Sequence, residues 1–162
     1  FRVHLIANFD KIKNDIKIDI TTGDAITPKE IEYLYPCMFQ EESLRVLAYP
    51  LETILAEKYE SVIKRNITTT RMRDFYDLYN LYNLRKEEID FDILKQAIIS
   101  TARRRESLSL MKQAIEIIED IKEDDYLKEL WTVYLADNLY VGDLNFSETV
   151  KVIEIIADKI AL

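Results

Sequence analysis

With 162 residues, nearly half of them hydrophobic, the chain has enough apolar surface for a sizeable core, in one domain or two small ones, which argues against disorder. Two glycines and three prolines leave few helix breakers among long stretches of Leu, Ile, Glu and Lys, so the expected class is α+β and mostly helical. A net charge of −8 argues against nonspecific wrapping of nucleic acid but leaves room for a local basic pocket. The single Cys37 can form no internal disulfide, and no apolar run approaches the roughly 18 residues of a membrane span, so a cytoplasmic protein with no membrane segment is expected.

The chain opens directly on a strand pattern. Phe1, Val3, Leu5, Ala7 and Phe9 alternate with Arg2, His4, Ile6 and Asn8. No basic and apolar leader precedes it, so the start reads as the interior of a longer protein rather than as a signal peptide. A second strand follows at Ile16 to Thr21, with the isoleucines on one face and Lys17, Asp19 and Thr21 on the other, and it is expected to pair antiparallel with the first. Thr22-Gly23-Asp24 ends it. A connection through Pro28 and Pro36 then leads to a third strand at Leu44 to Ala48.

From Pro50 onward the pattern is helical. One helix is expected from Pro50 to about Arg65, ended by Thr68-Thr69-Thr70, and a second from Arg71 to about Arg85. Lys86-Glu87-Glu88 reads as a hinge, dividing a core portion at 1–85 from a helical subdomain at 86–162. Asp90 is placed to cap a helix reaching Arg105, Leu108 to Lys122 and Tyr126 to Asn138 form a helical pair, and Ser147 caps a last helix to about Ala161.

Four charged positions stand out, three of them on apolar helix faces and one in the middle of a strand. Lys58 lies inside the stripe of Leu51, Ile54, Leu55 and Val62, with Arg65 at its edge. Its stem can snorkel to water, or its ammonium can hold a phosphate. On the next helix Asp74 and Asp77 share a face with Leu78, Leu81 and Leu84, near Arg71. They can serve the helix dipole, or fix Lys58 and Arg65 in place. Asp19 is a mid-strand carboxylate suited to Mg²⁺ or to taking a proton from a hydroxyl, if its face borders a cleft. His4, Cys37, the Arg103-Arg104-Arg105 run and the row Tyr76, Tyr79 and Tyr82 read as structural, the arginines complementing a helix dipole and the tyrosines packing in a core or an interface.

Ile18-Asp19-Ile20-Thr21-Thr22-Gly23-Asp24, then Leu55-Ala56-Glu57-Lys58, Arg65 and Arg71-Met72-Arg73-Asp74-Phe75-Tyr76-Asp77-Leu78 occur in an order and spacing that resembles the AbiEii/AbiGii toxin family. The resemblance covers about the first half of the chain. It implies a nucleotidyltransferase-like toxin of toxin–antitoxin or phage-defence systems, using Mg²⁺ and a nucleoside triphosphate, with tRNA an acceptor in some members and an antitoxin as partner. It also implies Asp19 near the metal, Lys58 on the nucleotide phosphates, Asp74 as a third catalytic position, and Arg65, Arg71 and Asp77 as nucleotide-binding residues. The family's Gly-Ser and Asp-x-Asp motifs, its principal Mg²⁺ ligands, have no counterpart before Asp19. The chain alone is therefore expected to be inactive, a small sheet remnant of a nucleotidyltransferase core whose open strand edges favour a homodimer. The competing expectation is a noncatalytic helical module that binds an antitoxin or another protein.

Overall fold

A computed structural model describes residues 1–39 and 41–162. Among these, four strands precede seven α-helices, the mostly helical α+β arrangement expected from composition. Strands β1 (Arg2–Phe9) and β2 (Ile12–Asp19) form one antiparallel hairpin, and β3 (Ile31–Pro36) with β4 (Ser43–Ala48) forms a second, separate one. The first hairpin closes through Asp10 and Lys11, with Phe9 opposite Ile12. Asp10 adopts a positive φ of 52°, which a short polar side chain tolerates in a tight two-residue turn.

Register puts Val3 opposite Ile18, Leu5 opposite Ile16 and Phe9 opposite Ile12, so one face of this ribbon is apolar, while Arg2, His4, Lys17 and Asp19 share the other. Both faces of both ribbons are exposed, apart from the half-buried Ala48 at the end of β4. Strand β3 was not expected. Pro28 and Pro36 mark the segment as a connection, yet Ile31, Tyr33 and Tyr35 alternate with Glu32 and Leu34 as β-branched and aromatic residues do in strands, and Pro36 stands at the strand's end, where its missing N–H is tolerated.

The core lies in the helices α1 (Leu51–Arg65), α2 (Met72–Arg85), α3 (Phe91–Arg104), α4 (Leu108–Met111), α5 (Ala114–Glu123), α6 (Asp125–Asp137) and α7 (Phe146–Ile160). Helix α1 is central: Leu55, Ala56, Tyr59, Val62 and Ile63 are buried among Phe75 and Leu78 of α2, Leu94 and Ile98 of α3 and Ile153 and Ile156 of α7. That cluster draws on residues from both sides of the Lys86-Glu87-Glu88 turn. Phe146 joins the halves, its ring 5.2 Å from Phe75 and 5.9 Å from Trp131.

Helix ends follow side-chain chemistry. Asp90 accepts hydrogen bonds from the Asp92 and Ile93 N–H groups, as expected, whereas the last helix is capped by Asn145 in a reciprocal box with Glu148 rather than by Ser147. The expected single helix over Leu108 to Lys122 is broken at Lys112 and Gln113. Met111 and Ala114 are both buried, and a tight bond from Gln113 N–H to Leu110 O at 3.0 Å turns the chain enough to keep both inward. At the end of α3, Glu106 takes a φ of 56°, and bonds from Ser107 N–H to Ala102 O and from Glu106 N–H to Arg103 O close a Schellman corner. This corner aims Arg105 and Ser107 at α1.

Candidate functional site

Between α1 and α2 the lysine and the two aspartates meet. Lys58 Nζ donates to Asp74 Oδ1 at 3.0 Å and to Asp77 Oδ2 at 2.6 Å. The aspartates stand three positions apart, so one helix face presents both carboxylates to the ammonium. Asp74 is the anchor: its side chain is 3% exposed, and its Oδ2 accepts from Ser61 Oγ at 3.0 Å and pairs with Arg71 Nε at 2.9 Å. Lys58 and Asp77 stay partly open to solvent, at 24% and 23%. Burial alone would pull the Lys58 ammonium toward neutrality, but the hydrogen bonds it donates to Asp77 and Asp74 and the charges of those carboxylates outweigh it, and its pKa is raised. An ammonium has three N–H donors, and two are committed to carboxylates, which leaves one for a ligand.

These residues line an open cleft of about 410 Å³ together with Thr70, Arg71, Met72, Arg73 and Tyr134. Arg73 lies 3.8 Å from Asp77 and is mostly exposed. Three cations against two carboxylates leave the cleft net positive in a chain whose overall charge is −8.

Arg71 is shared with a second cleft, about 500 Å³, lined by Glu60, Ser61, Lys64, Arg65, Thr68 and Arg105. Arg65 forms no ion pair among the described residues. Glu60, buried, accepts from Ser107 Oγ at 2.6 Å and from Arg105 Nη1 at 2.9 Å, while Arg105 Nη2 reaches Glu57 at 3.1 Å. Arg105 therefore does more than complement a helix dipole: it fastens α1 to the corner after α3, as Arg104 holds Gly23 O at 2.7 Å. Burial pushes the Glu57 carboxyl up, and Arg105 opposes it. Ser61, Glu60 and Tyr134 were not among the residues singled out from the sequence, and Arg105 was expected only to complement a helix dipole. Ser61 could have been found three positions after Lys58 on the same helix face; the other contacts link residues distant in sequence and left no local signal.

Asp19 is placed apart from this cluster. It lies on the exposed hairpin, where Arg2 spans its carboxylate, Nε to Oδ1 at 2.5 Å and Nη2 to Oδ2 at 2.9 Å, and this contact holds its pKa below the usual carboxylate range. The sheet face bearing Asp19 is exposed, so α1 and α2 do not pack against it and it borders no cleft with them. His4 is also exposed on β1, Cys37 is half-buried, and Tyr76, Tyr79 and Tyr82 pack partly buried against the helical core. Among the described residues no group of three His, Cys, Asp or Glu side chains is arranged to hold a metal. The carboxylates in the site are committed to Lys58, Arg71 and Ser61, and Asp19 to Arg2, so the donors present do not fit the expected Mg²⁺.

The helices hold a doubly anchored lysine beside two arginines in an open cleft, a cationic arrangement of the kind that suits an anion. The chain belongs to the AbiEii family, described as nucleotidyl transferase AbiEii toxins of type IV toxin–antitoxin systems, whose family model matches residues 1–153. The match extends well past Leu78, where the sequence resemblance was strongest, into the last helix. No curated protein and no solved structure gives a significant match. Family membership makes the chain a nucleotidyltransferase-type toxin sequence. Among the described residues no helix is long and apolar enough to cross a membrane.

Proposed function

We propose that the protein moves a nucleotide from a nucleoside triphosphate to a hydroxyl of an RNA acceptor, with tRNA as the acceptor class, and that Lys58 holds the triphosphate. The observation that carries this reading is the fixing of Lys58 by two carboxylates of one helix in an open, net positive cleft. A lysine stem is flexible. Two short charge-assisted bonds set the ammonium's position before a ligand arrives, so its third N–H meets developing negative charge with little further ordering, while the exposed guanidinium of Arg73 orders only on binding.

In the transfer step a bond forms between the acceptor oxygen and the α-phosphorus, and the bond from that phosphorus to the bridging oxygen breaks. Pyrophosphate leaves with the electron pair, and Lys58 and Arg71 offset its charge. Asp74 and Asp77 act through these cations as positioning residues. The acceptor hydroxyl releases its proton to solvent as the new bond forms, because Asp19, the base the resemblance implies, is paired with Arg2 on the exposed hairpin and does not line the cleft.

The test uses the full-length protein with total tRNA and two labelled triphosphates. Label at the α-phosphate must enter RNA, and label at the γ-phosphate must appear in pyrophosphate. Entry of γ-label into RNA would make the reaction phosphoryl transfer and overturn the proposal.

A further inference from the structure

We infer that Tyr134 of α6 is the base-stacking wall of the nucleotide site, a specificity-determining role that rests on the reading of Lys58 as the triphosphate holder. The cleft around Lys58 is lined by charged and small polar side chains and Met72; Tyr134 is its one aromatic lining residue among those described. It comes from α6, which begins forty residues after α2 ends, and reaches the cleft through tertiary packing.

The ring is held for the task. Its centroid lies 5.3 Å from Trp131, whose indole N–H donates to Leu144 O at 2.8 Å, and its hydroxyl is 3.1 Å from that of Tyr140. Tyr140 in turn packs edge-on to Tyr76 of α2, centroids 5.5 Å apart. The wall is thus fixed to α2, the helix that carries Asp74 and Asp77. Burial and the Tyr140 contact raise the Tyr134 pKa, so the phenol stays neutral beside phosphates. A neutral, immobilised π-surface next to a phosphate-binding cation is the pairing a nucleotide needs, because every base has a face to stack and stacking does not depend on its edge pattern. The site is therefore expected to accept more than one base, with purines bound more tightly through their larger faces.

The decisive comparison is binding of inorganic tripolyphosphate against a nonhydrolysable purine triphosphate, by calorimetry, in wild-type protein, Tyr134→Ala, Tyr134→Phe and Lys58→Ala. Tyr134→Ala should weaken the nucleotide by about tenfold or more while leaving tripolyphosphate unchanged, and Tyr134→Phe should restore nucleotide binding. Equal loss of both ligands in Tyr134→Ala, or unchanged nucleotide binding, overturns the stacking role. If Lys58→Ala leaves tripolyphosphate affinity intact, the Lys58 reading fails instead. Thermal melts of each variant keep the arms separate, because nucleotide loss in Tyr134→Ala counts only at a melting temperature matched by Tyr134→Phe, and loss in a Tyr134→Phe that melts normally also overturns the proposal.

Discussion

Replacing Asp74 by Asn removes the charge that gathers Lys58, Ser61 and Arg71 while keeping nearly the same volume. Breaking a buried ion pair costs about 3–5 kcal/mol when the surviving charge is left uncompensated. Here the surviving charges are partly relieved: Lys58 keeps Asp77 at 2.6 Å, and Arg71 is 54% exposed to water. The cost should therefore fall to about 2 kcal/mol, which for a domain of this size lowers the melting temperature by roughly 4–8 °C. Asp77→Asn should cost below about 1 kcal/mol, because Asp77 is substantially solvated and Lys58 then keeps Asp74. Circular dichroism melts of both variants, with Lys58→Met and the Lys58→Met/Asp74→Asn double, close the cycle, and the double should lose less than the two singles combined. If Asp77→Asn proves the more damaging change, or Asp74→Asn melts within a degree of wild type, Asp74 is not the buried anchor of the cluster.

Two further outcomes follow from the same geometry. Glu60→Gln leaves Arg105 with only Glu57 and weakens the Ser107 bond, so unfolding in urea should show a loss of roughly 2–4 kcal/mol; an unchanged midpoint would show that the α1 to α3 corner is not held by this contact. The pKa of Lys58 is raised in the folded protein, so its stabilisation is complete below the unfolded value and declines as pH rises through the folded one. The stability gap between wild type and Lys58→Met should stay level up to about pH 10 and shrink above it. A gap already shrinking between about pH 7 and pH 9 would contradict the direction of that shift.

What was legible in the sequence was what depends on neighbours in the chain. The helix periods, the Asp90 cap and the apolar face of the first strand are local patterns, and the structure repeats them. The Lys58 and Asp74 meeting was legible too, since charges inside apolar stripes must find partners. Three features escaped for different reasons. Strand β3 was hidden by its flanking prolines; the break at Gln113 is set by the need to bury Met111 and Ala114 against other helices, which overrides propensity. Tyr134 and Arg105 reach the clefts only through tertiary packing. Asp19 shows the converse. Its strand face was ambiguous between cleft and solvent, and the structure gives it Arg2 directly opposite in the hairpin register.

Nucleotide incorporation by Lys58→Ala tests most directly whether Lys58 holds the triphosphate. With α-labelled triphosphate, total tRNA and the full-length protein, the variant should fall by on the order of 10²-fold or more in rate, because a charge fixed at a phosphate is lost. Its far-ultraviolet circular dichroism should match wild type, and its melting temperature should shift by no more than the loss of one partly exposed cation explains. Full incorporation by a variant that melts early would contradict the claim and leave Lys58, Asp74 and Asp77 as a brace between two helices.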